Sequence, residues 1–480
     1  MNPSRFNRIF SPMLSAGQLW RVAITLLGAL LVAGCAVGPN YQRPDVHAPV
    51  SFRGTSDTAT NSFGDLPWWE TFHDDNLQSL IRIALTNNLD LQIAFTRVQQ
   101  AQAVAQEARA GFFPVVQYGG LAGRGKNVGV DNTPSPTGVS GAVFAADVNA
   151  SWEIDLWGRI RRLTEAARAQ FFASQEAQRD VRTSIIAQVA QDYFQMLAFR
   201  AQLAVARDST NSYGQSLKIF TQRLQGGVAS RLETSSAEAL MDSAAATIPD
   251  LERQIALQED QISILLGQNP APVLSGDDSL DHQSPPEVPP GMPSALLERR
   301  PDIREAEQML RSANAQVGVA EADFLPQLDL SGLFGTTSTE LSALTAGGSL
   351  AWSVGASLTG PLFEGGRIKA QYQQALAARR QYALQYQAAV LNALQEVSDA
   401  LISKDKLEQT RILQGRAVDA YKEAVKVSMQ RYKLGNASYY EVLQEQQLLF
   451  PEETTLVQTQ ANQLANIVQL YRALGGGWQK

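Results

Sequence analysis

The sequence predicts a mainly α-helical chain carrying a small set of membrane β-strands, built as one supersecondary unit written twice. Three observations carry that expectation. Short motifs recur at a nearly constant offset, long runs lack Gly and Pro, and stretches of about 11 residues alternate strictly between apolar and polar.

The repeat comes first because it replaces any count of domains by length. Trp157-Gly158-Arg159-Ile160 matches Gly365-Gly366-Arg367-Ile368. Arg223 with Gly227-Val228-Ala229-Ser230 and Glu233 matches Arg431 with Gly435-Asn436-Ala437-Ser438 and Glu441. Leu266-Gly267 matches Leu474-Gly475, and all three pairs are offset by 208. Upstream, Asn88-Leu89-Asp90-Leu91 matches Arg300-Pro301-Asp302-Ile303, and Phe113-Pro114 matches Leu325-Pro326, both at offset 212. The difference falls between Pro114 and Gly158, where a surface loop absorbs it cheaply. The 480 residues therefore divide into a leader (1–34), an N-terminal segment (35–75), repeat one (76–267), a Pro-rich connector (268–302), repeat two (303–475) and a short tail (476–480).

Within each copy the expected order is helix, two strands, a very long helix, a turn and a further helix. Residues 159–213 contain no Gly or Pro, and Ile185, Val189, Tyr193, Met196 and Leu203 recur at helical spacing. A helix from Arg159 to Leu224 is about 100 Å long at ~1.5 Å per residue. Its counterpart, Arg367 to Leu434, is interrupted only by Gly415. Helices of this length need a packed stripe against a partner. Leu77–Gly111 and Arg231–Leu266 read as shorter helices which together match one long one.

From Phe144 to Asp155 the even positions Phe144, Ala146, Val148, Ala150, Trp152 and Ile154 are apolar, against Asp147, Asn149, Ser151, Glu153 and Asp155. Leu350, Trp352, Val354, Ala356 and Leu358 alternate in the same way with Ser353, Gly355, Ser357 and Thr359. Their less regular partners lie near 114–122 and 326–335, which places the other two strands near 143–155 and 349–360. Phe112, Phe113, Trp157, Phe324 and Phe363 cluster at the helix-facing strand ends, as in an interfacial girdle. A soluble sandwich with one wet face shows the same alternation. Four strands cannot close a barrel, and lipid does not tolerate an open sheet edge, so the membrane reading requires several chains to pool strands.

Composition narrows the function. A hydrophobic fraction of 44% with 18% charged residues excludes wholesale disorder, and a net charge of −7 argues against phosphate-driven nucleic-acid binding. His47, His73 and His282 show no ligand-like spacing, and no phosphate-binding loop or nucleophile elbow is present. No enzyme, metal or cofactor is expected. The lone cysteine, Cys35, excludes internal disulfides. It closes a leader in which Arg5, Arg8 and Arg21 precede the apolar run Val22–Ala33, too short to span a bilayer. Leu31-Val32-Ala33-Gly34-Cys35 resembles a bacterial lipobox, which implies acylation of Cys35. Ala36, rather than Asp, follows and implies sorting to the outer membrane. Removal of the leader takes the net charge to −10.

Four strings place the chain beside a known family. Cys35-Ala36-Val37-Gly38-Pro39-Asn40-Tyr41, Leu297-Glu298-Arg299-Arg300-Pro301-Asp302-Ile303, Ala313-Asn314-Ala315-Gln316-Val317-Gly318-Val319-Ala320 and Ala473-Leu474-Gly475-Gly476-Gly477-Trp478 resemble the outer membrane factor family of TolC-like exit ducts, in its lipoprotein branch similar to OprM and NodT. The resemblance implies a homotrimer with a twelve-stranded barrel continued by a periplasmic α-helical barrel. It also implies a periplasmic adaptor and an inner-membrane pump of the resistance-nodulation-division type as partners. The adaptor contact then falls on the turns Gly227, Val228, Ala229, Ser230 and Gly435, Asn436, Ala437, Ser438. The pore constriction falls on Tyr440 and Gln444, where relatives often place an acid at the second position, with Glu441 and Glu445 adjacent. A stand-alone porin, or a structural coiled-coil lipoprotein, are the alternatives.

Overall fold

The computed structural model describes residues 36–46, 49–53, 63, 74–128, 139–273, 280, 283 and 293–477. The leader, Cys35, about half of the Pro-rich connector and Trp478 lie outside the described residues. The elements are α1 (Asp75–Asn87), α2 (Leu89–Ala110), β1 (Val115–Val128), β2 (Val139–Ile154), α3 (Arg159–Gln225), α4 (Arg231–Leu265), α5 (Leu296–Arg299), α6 (Pro301–Ala322), β3 (Gln327–Ser338), β4 (Leu350–Thr359), α7 (Arg367–Lys433) and α8 (Tyr439–Ala473). Helices α3 and α7 each run for 67 residues, and α4 and α8 for 35. Among the described residues no helix is long and apolar enough to cross a membrane.

The described residues fall into two compact units. One comprises parts of 1–43, 101–171 and 309–382, and the other parts of 44–100, 172–308 and 383–480.

The first unit contains the four-stranded antiparallel sheet, in the order β1-β2-β3-β4. Register decides what the alternation means. Val148 lies opposite both Tyr118 and Phe334, Trp152 opposite Leu330, Phe334 opposite Trp352, and Leu328 opposite Leu358. Most apolar positions of the four strands therefore share one face, with Val115, Leu121 and Leu333 left on the other. On the other face Gln117 meets Asn149, Glu153 meets Asp329, and Asp329 meets Ser357. The irregular strands thus place Tyr118, Leu328, Leu330 and Phe334 in register with the apolar positions of the regular ones. The apolar face is uncovered: Tyr118 is 92% exposed, Val354 82% and Trp352 71%. A sandwich would bury that face against a second sheet ~10 Å away. Strands β1 and β2 run further than the sequence suggests, to Val128 and from Val139. Their ladder carries on through Arg124 and Ala142 beyond the apolar stretch, with a register shift between Gly125 and Val128.

In the second unit one expectation fails. The helix anticipated from Leu77 to Gly111 is two helices, divided at Asn88, whose ψ of 129° leaves the helical region. The Asn88 side chain supplies the reason. Its Oδ1 accepts from Leu91 N (3.0 Å) and caps α2, while its Nδ2 donates to Leu265 O (2.9 Å) in the last turn of α4. Asx side chains compete with helical backbone in this way. Arg300 makes only the donating half of this arrangement in the second copy, from Nη1 to Ala473 O (3.0 Å) at the end of α8. Nearby, Asp74 accepts from Leu77 N (2.9 Å) to cap α1 and from the Tyr193 hydroxyl (2.9 Å), both buried.

Candidate functional site

The turns singled out by the sequence, Gly227–Ser230 and Gly435–Ser438, link α3 to α4 and α7 to α8 within the second unit. Each begins with a glycine in the left-handed region, Gly227 at φ +74° and Gly435 at φ +76°, where a β-carbon is disfavoured. The amide following each glycine reaches back to the helix it leaves. Val228 N donates to Arg223 O and Asn436 N to Arg431 O, both at 2.9 Å, which satisfies carbonyls that the helix end orphans.

Helix α4 then starts with a capping box. Ser230 Oγ accepts from Glu233 N (3.3 Å), and Glu233 Oε2 accepts from Ser230 N (3.0 Å). Ser438 stands at the same place before α8 without a side-chain cap, and Glu441 instead pairs with Arg431 at 3.0 Å. Val228 (73% exposed) and Asn436 project into solvent, whereas Ala229 and Ala437 are half-buried and seat their turns.

Beneath the turns lies a small aromatic core. Phe220 is fully buried, its ring 4.1 Å from that of Tyr439 and 5.2 Å from that of Tyr432, with Ala237 and Val442 completing the cluster. The Arg223 guanidinium stacks on Tyr432 at 4.4 Å. Of these residues the repeat motif singles out Arg223 alone. The available signal was a pair of aromatics, Tyr432 and Tyr439, bracketing Gly435, with Phe220 seven residues before Gly227.

The four constriction candidates occupy the first turns of α8. Tyr440 is 69% exposed, Gln444 is exposed, and Glu441 and Glu445 are half-buried. Tyr440 therefore does not pack between helices of its own chain; Tyr439 does. The Tyr439 hydroxyl is buried without a hydrogen-bond partner among the described residues, and burial, with Glu233 and Tyr432 nearby, pushes its pKa up to about 12. Two turns beyond Tyr439, Gln446 ties α8 to α3: Tyr213 donates its hydroxyl to Gln446 O (2.8 Å), and Gln446 Nε2 donates to Ser216 Oγ (3.1 Å).

A sheet with an apolar face open to its surroundings, carried by a chain with two 67-residue helices, is the pattern of a membrane channel subunit. Residues 80–268 and 292–476 each match the family model described as outer membrane efflux protein, so the chain belongs to that family. The two matched segments are the two copies of the repeat. The chain is 32% identical over 471 residues to the toluene efflux pump outer membrane protein TtgC of Pseudomonas putida, with 96% of each chain covered. It is 32% identical over 462 residues to the cation efflux system protein CusC of Escherichia coli, covering 94% of this chain and 98% of that one. The open-state MtrE outer membrane channel of Neisseria gonorrhoeae superposes with a TM-score of 0.83 at 29% identity, covering 93% and 99%. The chain is accordingly a TolC-like outer-membrane exit duct for efflux, resident in the outer membrane and reaching into the periplasm. Its role is transport.

Proposed function

We propose that three copies of this chain join their sheets into a twelve-stranded barrel, through which an inner-membrane pump of the resistance-nodulation-division type expels small toxic compounds by way of a periplasmic adaptor. The single observation carrying this reading is the sheet itself, whose apolar face is exposed and whose outer strands β1 and β4 have no further strand partner among the described residues. Lipid leaves no backbone group unsatisfied, so β1 of one copy must meet β4 of the next. Acyl chains on Cys35 hold each copy to the membrane, since multiple chains anchor firmly where one does not. The turns Gly227–Ser230 and Gly435–Ser438 meet the adaptor. Their exposed Val228 and Leu434, 73% and 75% exposed, support that role because nothing in their own unit covers them.

Tyr440 and Gln444 narrow the bore, and Glu441 and Glu445 set the local field. The support is the contrast between exposed Tyr440 and buried Tyr439. Replacing Tyr440 by Ala is expected to raise single-channel conductance of the trimer in planar bilayers, and an unchanged conductance would remove Tyr440 from the constriction. Crosslinkers placed at Val228 and Asn436 are expected to capture the co-expressed adaptor. If conductance is normal but no adduct forms and deletion leaves toxin sensitivity unchanged, the stand-alone porin is the better description.

A further inference from the structure

The segment that opens the described chain, Ala36 to Tyr41, does not trail across the surface. It sits in a built socket within the first unit. Arg162, 5% exposed, donates from Nε to Val37 O (3.1 Å) and from Nη2 to Gly38 O (3.1 Å) and Asn40 Oδ1 (2.9 Å), while Glu165 balances its charge at 2.8 Å. Asn314, 2% exposed, donates to Pro39 O at 2.7 Å. Tyr41 lies under the Arg311 guanidinium at 4.8 Å. Gly38, at φ +91°, comes so close to Gly318 that a β-carbon on Gly38 would run into the Gly318 backbone, and one on Gly318 would stand 2.9 Å from Arg162 Cγ. Two helices, α3 and α6, thus grip the strap through side-chain hydrogen bonds from Arg162 and Asn314, cation–π stacking and a glycine-to-glycine contact.

The place of the grip carries the inference. Val37 N donates to Trp157 O at 2.9 Å, and Ala36 packs against Gly158. Trp157 and Gly158 lie between the last strand residue of β2, Ile154, and the start of α3 at Arg159. The Trp157 indole is itself pinned, donating Nε1 to Pro326 O at 2.7 Å just before β3. The start of the strap is therefore fixed at the junction of membrane strands and helices, where an aromatic belt marks the bilayer interface.

We propose that Arg162, Asn314 and Gly318 are positioning residues for the N-terminal acyl anchor: they hold the strap so that the lipid on the preceding residue enters the bilayer beside its own chain's strands. This rests on the acylation of Cys35 proposed above. The physical gain is a short tether. With the strap docked, the anchor is separated from the strand–helix junction by a single residue. With the strap released, the tether lengthens by every residue up to the next point at which the segment is held. A longer tether dilutes each sheet at the membrane surface, where three must meet.

The test is a two-by-two comparison of assembled, heat-modifiable trimer in outer membranes. Arg162→Ala is made in the acylated protein and in a Cys35→Ser form exported by a cleavable, non-lipoprotein leader. The acylated protein is expected to lose trimer about tenfold, the cost of stripping three strap acceptors of their donor, and the unacylated protein less than about twofold. Equal losses in both backgrounds would reduce the socket to ordinary structure and overturn the proposal, as would no loss in either. Asn40→Ala removes one acceptor at the surface and is expected to give a smaller loss with the same dependence on acylation, which keeps the test open if Arg162→Ala fails to fold. The mass of the purified wild-type protein separates the two failures. A chain without added acyl mass sinks the acylation reading and the proposal with it, whereas an acylated chain with equal losses sinks only the proposal.

Discussion

The turn after α3 and the turn after α7 carry the same motif, Arg-x3-Gly-x-Ala-Ser-x2-Glu, yet the shared residues do different work. In the first, Glu233 closes a capping box on Ser230, and Arg223 stacks across on Tyr432 of the other copy. In the second, Ser438 caps nothing with its side chain, and Glu441 and Arg431 pair with each other at 3.0 Å. The aromatic core between them is equally lopsided. Phe220 comes from the first copy, where the second has Ser428, while Tyr432 and Tyr439 come from the second, where the first has Leu224 and Arg231. A duplicated motif therefore fixes the shape of both turns but leaves the first locally capped and the second held by partners from elsewhere. That leaves α8, which carries the constriction candidates, the less self-sufficient of the two helices.

The largest expected effect tests the shared core. Phe220→Ala should cost ~3–5 kcal/mol and loosen the second turn as much as the first, because Tyr432 and Tyr439 lose their common partner. Hydrogen exchange at both turns reads this, and a response confined to the first turn would break the comparison.

The copies also differ in their helices before the strands, where Glu305 of α6 stands in the place of Ile93 of α2. Burial, reinforced by Asp180, Asp302 and Glu176, pushes Glu305 up to about 7 from 4.5. The folded chain thus holds more protons than the unfolded one between those values, so the contribution of Glu305 to stability is lost as pH rises through that window. Glu305→Gln should raise the thermal midpoint at about pH 8 and leave it nearly unchanged at about pH 4. An equal gain at both would mean that the carboxylate carries no penalty.

Ser230→Ala should cost ~1 kcal/mol and Ser438→Ala well under half that, the first losing a side-chain cap which the second never makes. Equal losses would mean that the two starts are capped alike. The smallest effect is expected from Arg431→Ala, about 0.5 kcal/mol or less at an exposed pair, and it should fade with added salt.

Much of this molecule was legible in the chain. The long helices follow from runs without Gly or Pro, the strands from a period of two, and the turns from Gly and Ser at fixed spacing, all of them local signals. The division at Asn88 was not legible, because its cause is Leu265, 177 residues away, accepting the Asn88 amide. At the candidate site the motif located both turns but carried no signal to tell the two neighbouring tyrosines apart. Tyr439 and Tyr440 are adjacent and chemically identical, and only the position of Phe220 on α3 buries the first and leaves the second 69% exposed.

The sequence by itself determined the doubled unit, the length of its helices and the faces of its regular strands, since periodicity is written into neighbouring residues. Tertiary structure alone decided which tyrosine packs, how the irregular strands align their apolar positions and where the strap docks. Each of those depends on a partner that the fold brings in from dozens to hundreds of residues away, and no local pattern encodes it.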